Sequence, residues 1–428
     1  MDGKVLRATV PRSAHAAWAP QADRDPLAIL HAIFATLIPE LVPVRIERMR
    51  GSPFTFYRGS AAVMAADLAT LPQTGLVTQL SGDAHLANFG GYASPERRLV
   101  FDINDFDETV RGPWEWDVKR LATSVLLAGR ERGLREQACL RAARLACETY
   151  RDRTAEYAAM PALDVWYAAI DLTGAVRSAL DARARRDWVR EAGAARRSTA
   201  LALLPKITQL VEGKPRFIED APLLERIADP GYGQRVLDAY RATLRPDVRR
   251  LLDRFTLADL ARKVVGVGSV GMWCALMLLH DGDGNPLLLQ VKEARASALE
   301  PYVGAQEFAT PGERVVDGQR TMQAASDPLL GWADVDERCV YVRQDRDMKA
   351  APDLAALGEI ELADYAAHCA WALARAHARA GDPRPVTAYI GTGSAFVDAI
   401  TAFAGAYGEQ TAHDHARFSA AAAAGELG

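Results

Sequence analysis

The sequence is poor in the features that mark specialised classes of protein. Its 428 residues hold five cysteines, Cys139, Cys147, Cys274, Cys339 and Cys369, scattered and without a CxxC pair. That spacing offers no zinc motif, and an odd, dispersed set offers no disulfide framework. No uninterrupted apolar stretch is long enough to span a bilayer. The opening MDGKVLRATVPRSAHAAWAP lacks the apolar core of a signal peptide. A reducing, cytoplasmic setting is therefore expected. Charge of one sign is scarce too. A net charge of -4 gives no general pull toward nucleic acid or an anionic membrane, and neither is expected as a partner. Internal repeats are absent, and only the C-terminal end is alanine-rich.

What remains is an ordinary globular balance, 49% hydrophobic and 25% charged, in a chain long enough for two or three packed layers. Residues 1–24 read as a loose polar arm. Asp25 is a candidate N-cap for a helix over 26–41. Residues 76–80 and 98–103 read as short strands, each ending in a polar loop. Periodicity predicts helices over 116–129, 131–159, 168–204 and 234–260. The pattern then changes. KVVGVGSVG, MWCALMLLH and PLLLQV read as three strands, with a tight DGDGNP turn between the last two. A helix over 311–325, a strand over 339–344 and helices over 357–380 and 394–424 follow. The expected class is α+β, with a large helical lobe and a small β-rich lobe.

Chemistry concentrates in two loops. The first, SGDAHLANFGG, sets Asp83 five residues before Asn88. In phosphoryl transfer an Asp can accept the proton of the attacking hydroxyl while a nearby Asn gives a neutral oxygen to magnesium. This is also the Asp-to-Asn spacing of the kinase catalytic loop. An Asx-rich turn explains the same residues without chemistry. His85, between the two, is a candidate to orient the loop or meet phosphate. The second loop follows the strand core Leu99-Val100-Phe101 and carries Asp102, Asp105, Asp107 and Glu108. Four acids in seven residues repel one another unless solvated or neutralised by a cation, and magnesium takes one or two carboxylates plus phosphate oxygens. Asp105-Phe106 stands 17 residues after Asn88, close to the spacing of the kinase Asp-Phe-Gly. Asp107 replaces its Gly, so Asp102, Asp105 and Asp107 all stand as metal candidates, with Asp105 preferred. Asp117, leading into the next helix, either braces the first loop or complements the helix dipole.

The stretches GDAHLANFG, FDINDFDE, GPWEWDVKRLA, VGVGSVG and LARAHARAGD resemble an uncharacterised bacterial family numbered DUF 2252, over roughly residues 25–420. That resemblance implies a distant likeness to protein kinases and aminoglycoside phosphotransferases, and no particular reaction. It implies a two-lobed protein kinase-like fold whose remaining parts should be present.

They are, in an unexpected order. Gly266, Gly268 and Gly271 form GxGxxG after an apolar run, and glycines let backbone amides approach phosphate. A Rossmann turn is the rival, but it leads into a helix, whereas a second apolar run and a hairpin turn follow here. Lys292 ends the next run, 21 residues after Gly271, as the phosphate-binding Lys of kinases follows its hairpin. A surface lysine is the plain alternative. Glu300, Glu307 and Glu313 are candidate partners for it, and 345–349 is a candidate hinge. Because the catalytic loop precedes the Gly-rich loop, the chain reads as a circular permutation, with the helix ending near His377 standing just before the catalytic loop in space. The expected division is arm 1–24, helical lobe 25–260, nucleotide-binding β-lobe 261–350, and helices 351–428 completing the helical lobe. Arg48 and Arg58 flank SPFTFY and suit either an anionic substrate or structural ion pairs. The expected function is an ATP- and Mg2+-dependent phosphotransferase acting on a small-molecule acceptor. The rivals are AMP transfer to a protein and a nucleotide-binding scaffold without activity.

Overall fold

The structure is a computed structural model of the chain. It describes every residue except 1–2, 172–175, 177, 212–213, 222, 228, 230, 265–269, 305, 346–347, 350 and 428. The fold is mixed α+β with several sheets.

Four short strands carry the two polar loops. β1 (Val77–Leu80) pairs antiparallel with β4 (Val110–Pro113), and β2 (Phe89–Ala93) with β3 (Leu99–Ile103). A fifth, β5 (Ile170–Asp171), extends the second ladder. The registers Leu80↔Val110 and Phe89↔Ile103 set residues 81–88 and 104–109 side by side. These strands sit on a core built by the helices Glu115–Glu131, Glu136–Ala158, Glu359–Ala380 and Ala395–Ala423. Small residues such as Ala142, Ala143, Ala146, Ala366 and Ala370 are buried there and let the helices approach closely.

The chain between 208 and 344 forms strands of a second kind. β6 (Thr208–Val211) and β7 (Lys214–Phe217) make a hairpin. A six-stranded antiparallel sheet comprises β8 (Leu224–Arg226), β9 (Phe255–Lys263), β10 (Cys274–Asp281), β11 (Pro286–Glu293), β12 (Gly331–Val335) and β13 (Arg338–Gln344), in the order β12-β13-β11-β10-β9-β8. Strand β10 is apolar from Cys274 to Leu279 because both its faces are covered there. Ala275, Met277 and Leu279 pack under the helix Tyr232–Thr243, while Leu276 and Leu278 meet Leu204 and Phe217. The DGDGNP turn forms as expected, with Asp281 Oδ1 accepting from the Asp283 and Asn285 amides and Gly284 at φ +84°. The helix Pro311–Met322 lies between β11 and β12 in the chain.

Several expectations need correction. The helix expected over 168–204 is instead β5 followed by two helices, Ala182–Arg197 and Ala200–Ile207, and residues 172–175 and 177 of that stretch lie outside the described residues. The helix expected over 234–260 is two helices, Tyr232–Thr243 and Pro246–Leu252, followed by β9. The strand that precedes β10 is thus 255–263 and not 263–271, and residues 265–269 of the glycine motif lie outside the described residues. The arm expected to be loose is packed: Val10 and His15 are buried, and Arg24 pairs with both Asp67 and Asp414. Asp25 does cap its helix, Pro26–Phe34, by accepting from the Leu27 amide. Among the described residues no single helix is long and apolar enough to cross a membrane.

Candidate functional site

The loop after β1 is held from beneath. Gly82 has φ +81°, and a Cβ there would meet the Glu108 carbonyl oxygen at 2.1 Å, so only glycine fits. Asp117, in the first turn of the Glu115–Glu131 helix, accepts from the Ser81 amide at 2.7 Å and the Gly82 amide at 3.0 Å. His377 Nε2 lies 3.2 Å from the same carboxylate, and its Nδ1 lies 2.8 Å from the Tyr150 hydroxyl. Tyr365 donates to the carbonyls of Leu86 and Phe89. The Glu359–Ala380 helix therefore supports this loop through two side chains.

With its backbone fixed, the loop presents three side chains. Asp83 Oδ1 accepts from Arg120 at 2.6 Å, and Arg120 stacks on the Tyr57 ring. Burial pushes the Asp83 carboxyl up, and Arg120 opposes this only in part. His85 Nε2 is 3.5 Å from Asp83 Oδ2. Burial, aided by Arg58 and Arg120, pushes His85 well below its ordinary value, so the ring is neutral. The Asn88 amide nitrogen donates to the Asp83 carbonyl at 2.8 Å, which leaves its amide oxygen as the acceptor available to a ligand.

The acids of the second loop part company. Asp102 is fully buried and accepts from Arg375 at 2.9 Å on both oxygens, and from the Ala324 amide at 2.8 Å. It joins β3 to the Glu359–Ala380 helix and does not reach the cavity, so its expected metal role is not supported by its position. Asp105 and Asp107 do line the cavity. Asp107 accepts from Lys292 Nζ at 2.6 Å and from the Tyr341 hydroxyl at 2.7 Å. Burial pushes the Asp107 carboxyl up, but Lys292, the Tyr341 hydroxyl and Arg343 together outweigh it and the net direction is down. Asp105 goes the other way. Burial and the neighbouring Asp107 charge raise it, and Lys292 and Arg343 oppose this only in part. Burial also works against the Lys292 ammonium, but Asp105 and Asp107 hold it well above its ordinary value.

Lys292 is placed by sheet register, opposite Cys274 on β10 and Tyr341 on β13. None of the three glutamates expected as its partner is paired with it. Glu313 accepts from the Ala309 amide, Glu300 from the Ser297 amide, and Glu307 is exposed. Arg343, two residues after Tyr341 on the same face, donates to the Asn104 carbonyl and to Gln290.

Asp83, His85, Asn88, Asp105, Asp107 and Lys292 line one cavity of about 620 Å³. A second, of about 830 Å³, shares Asn104, Gln290, Arg343 and Lys349 with it and runs to Lys263 and Val264 at the end of β9 and to Gln344 and Asp345 at the end of β13. Gly266 and Gly268 lie outside the described residues. Gly271 has φ +95° and packs on Leu37, while its carbonyl accepts from the Ile38 amide. Of the arginines flanking SPFTFY, Arg58 lines the Asp83 cavity and Arg48 the second one. Residues 346–347 of the candidate hinge lie outside the described residues.

Among the described residues no three His, Cys, Asp or Glu side chains form a ready metal cluster. Asp105 with the Asn88 amide oxygen is instead the kind of sparse oxygen set that suits magnesium when phosphate oxygens complete the shell. Sequence reasoning missed Arg120, Tyr341 and Arg343. Arg120 was within reach, since it follows Asp117 by one helical turn and shares its face.

The match to known families agrees with the motifs. The chain belongs to the family described as uncharacterized protein conserved in bacteria (DUF2252), whose model matches residues 37–421. No curated protein and no solved structure matches it.

Proposed function

We propose that the chain is an ATP- and magnesium-dependent phosphotransferase with a permuted kinase-like arrangement of parts, acting on a small-molecule acceptor. One observation carries this reading. Asp83, Asn88 and Asp105 come from two loops near the start of the chain, Lys292 lies 185 residues beyond Asp107, and all line the same cavity. A hairpin, a strand ending in lysine, a helix and two further strands follow one another as in the small lobe of a kinase. The missing glutamate partner is a departure, and Asp107 fills its place beside Lys292.

In this reading Lys292 and Arg343 hold phosphate oxygens, and Asp105 with Asn88 holds the metal. Magnesium supplies charge neutralisation on those oxygens. Asp83 accepts the acceptor's hydroxyl proton as the new O–P bond forms and the bond to the departing ADP oxygen breaks. The neutral His85 and the Arg120 ion pair keep the Asp83 carboxylate in position.

Calorimetry with a nonhydrolysable ATP analogue tests the proposal. Binding is expected to need magnesium, and Lys292→Ala is expected to weaken it by about 10-fold or more, the loss of a charge-assisted contact, with circular dichroism unchanged. Equal affinity in EDTA defeats the metal assignment. Magnesium-dependent binding without γ-phosphate transfer under any condition leaves a nucleotide-binding protein and no enzyme.

A further inference from the structure

The cations around the cavity are not equally engaged. Lys292 is paired with Asp107, Arg120 with Asp83 and Arg295 with Glu293. Arg343 donates to Asn104 and Gln290, and Arg45 to the carbonyls of Val270 and Gly59. Arg58 differs. It sits on the Pro53–Gly59 helix, lines the cavity, and forms no ion pair among the described residues. Its guanidinium carbon lies 5.9 Å from the centroid of the Phe54 ring, and its Nε is buried without a hydrogen-bond partner. A half-buried guanidinium without a direct ion pair is costly, and the cost is relieved when a ligand brings an anion. The planar fork of an arginine fits carboxylate and phosphate oxygens.

Position says which ligand. The charged neighbours of Lys292 are Asp105, Asp107 and Arg343, the end assigned to nucleotide phosphates. Arg58 follows Tyr57, whose carbonyl accepts from Arg120, the ion-pair partner of Asp83, and Asp83 is the acid that acts on Arg58 most strongly. Arg58 thus stands at the end where the attacking hydroxyl must be, not where the phosphates are held. Ile29, Ile33 and Met272 line the same cavity and give it an apolar flank. An amine-rich acceptor would meet Arg58 and Arg45 with like charge.

Resting on the phosphotransferase reading, we infer that the acceptor is a small anion, a carboxylate or phosphate ester bearing a free hydroxyl, and that Arg58 selects it. The hydroxyl proton passes to Asp83, the γ-phosphoryl group to the acceptor oxygen, and ADP leaves, so the step needs no further reactant.

The test uses the full chain with magnesium, γ-labelled ATP and a protein-free bacterial extract split on an anion exchanger into retained and flow-through fractions. Labelled product is expected from the retained, acidic fraction. Phosphatase treatment of that fraction beforehand separates the two sources: loss of transfer indicates a phosphate ester, and survival a carboxylate. Arg58→Leu should raise the amount of acidic fraction needed for half-maximal transfer by about 10-fold or more, as expected for a lost charge-assisted contact, with little change at saturation. Arg58→Lys should recover part of the loss. Transfer from the flow-through alone overturns the inference and leaves the phosphotransferase reading standing. So does an Arg58→Leu variant that lowers the saturated rate and basal ATP hydrolysis alike, because Arg58 would then act on the transferring phosphoryl group. No transfer from either fraction also overturns it. In that case magnesium-dependent binding of the ATP analogue decides whether the underlying reading falls with it.

Discussion

Asp83 is pulled in two directions. A base must be ionised to accept a proton, yet burial raises this carboxyl above its ordinary 3.8 while Arg120 draws it down, and the net direction is up. The ionised fraction falls as pH drops through that raised value. The acid limb of the rate is therefore expected at higher pH than an unperturbed carboxylate would give, and it should vanish from the residual rate of Asp83→Asn. For stability the sign is opposite. The folded chain binds this proton more tightly than the unfolded one, so the contribution is fully present below the unfolded pKa and is lost as pH rises through the folded one. Asp83→Asn should cut transfer by roughly 10²–10⁴-fold, the usual weight of a general base, while the ATP analogue still binds. It also strips the buried Arg120 of its counter-charge, so a lower melting temperature is expected alongside. A variant keeping most of the wild-type rate would end the base assignment. The residues in this argument were legible to different degrees. Asp83, Asn88 and Asp105 follow from local spacing. Lys292 was found, but its partner was not, because Asp107 reaches it across 185 residues. Asp102 looked equivalent to Asp105 by composition. As a strand residue on β3 it points instead at Arg375, a side chain 273 residues away that no local pattern could supply.

At the level of elements, the first loop is shaped by its support. Two buried amides, those of Ser81 and Gly82, depend on one carboxylate at a helix N-terminus, which the macrodipole also favours there. Removing it leaves both donors unsatisfied. Asp117→Ala should cost about 2–6 kcal/mol in urea denaturation, at roughly 1–3 kcal/mol per buried unsatisfied group, and Asp117→Asn should cost less because one oxygen remains. Gly82→Ala should also destabilise, since it combines a left-handed backbone, worth about 1–2 kcal/mol for a residue with a Cβ, with a clash against the Glu108 carbonyl. If Asp117→Ala unfolds at the wild-type urea concentration, the brace is not needed and the dipole reading of this residue is enough. The start of the helix at Pro26 and the DGDGNP hairpin were legible because cap and turn chemistry are local, whereas the helix ends at Phe34 and not at the expected 41. The boundary near 255 was not legible. FTLADLARK is rich in Leu, Ala and Arg, which favour helix, and only pairing with β10 on one side and β8 on the other makes it a strand.

At the scale of the whole molecule, the order of parts along the chain and their arrangement in space diverge. The loops at 81–88 and 104–109 meet a lysine from β11 and an arginine from β13, while helix Glu359–Ala380, late in the chain, packs beneath the first loop through Tyr365 and His377. If one nucleotide bridges these parts, binding must restrain them together. Amide hydrogen exchange on the full chain, with and without magnesium and the nonhydrolysable analogue, reads this directly. Slower exchange is expected simultaneously in peptides covering 78–107 and in peptides covering β10, β11 and β13. At a ligand concentration of about 100 times Kd the shared stabilisation is about 2.7 kcal/mol, close to a 100-fold slowing wherever an amide exchanges only by an opening that releases the ligand. EDTA should remove the effect from both regions, and Lys292→Ala should weaken it in both, because the lysine and the two loops hold opposite sides of the same phosphates. Protection confined to the β-sheet peptides would mean that the nucleotide sits away from Asp83 and Asn88. The early loops would then belong to a different site, and the permuted kinase-like arrangement would lose its basis.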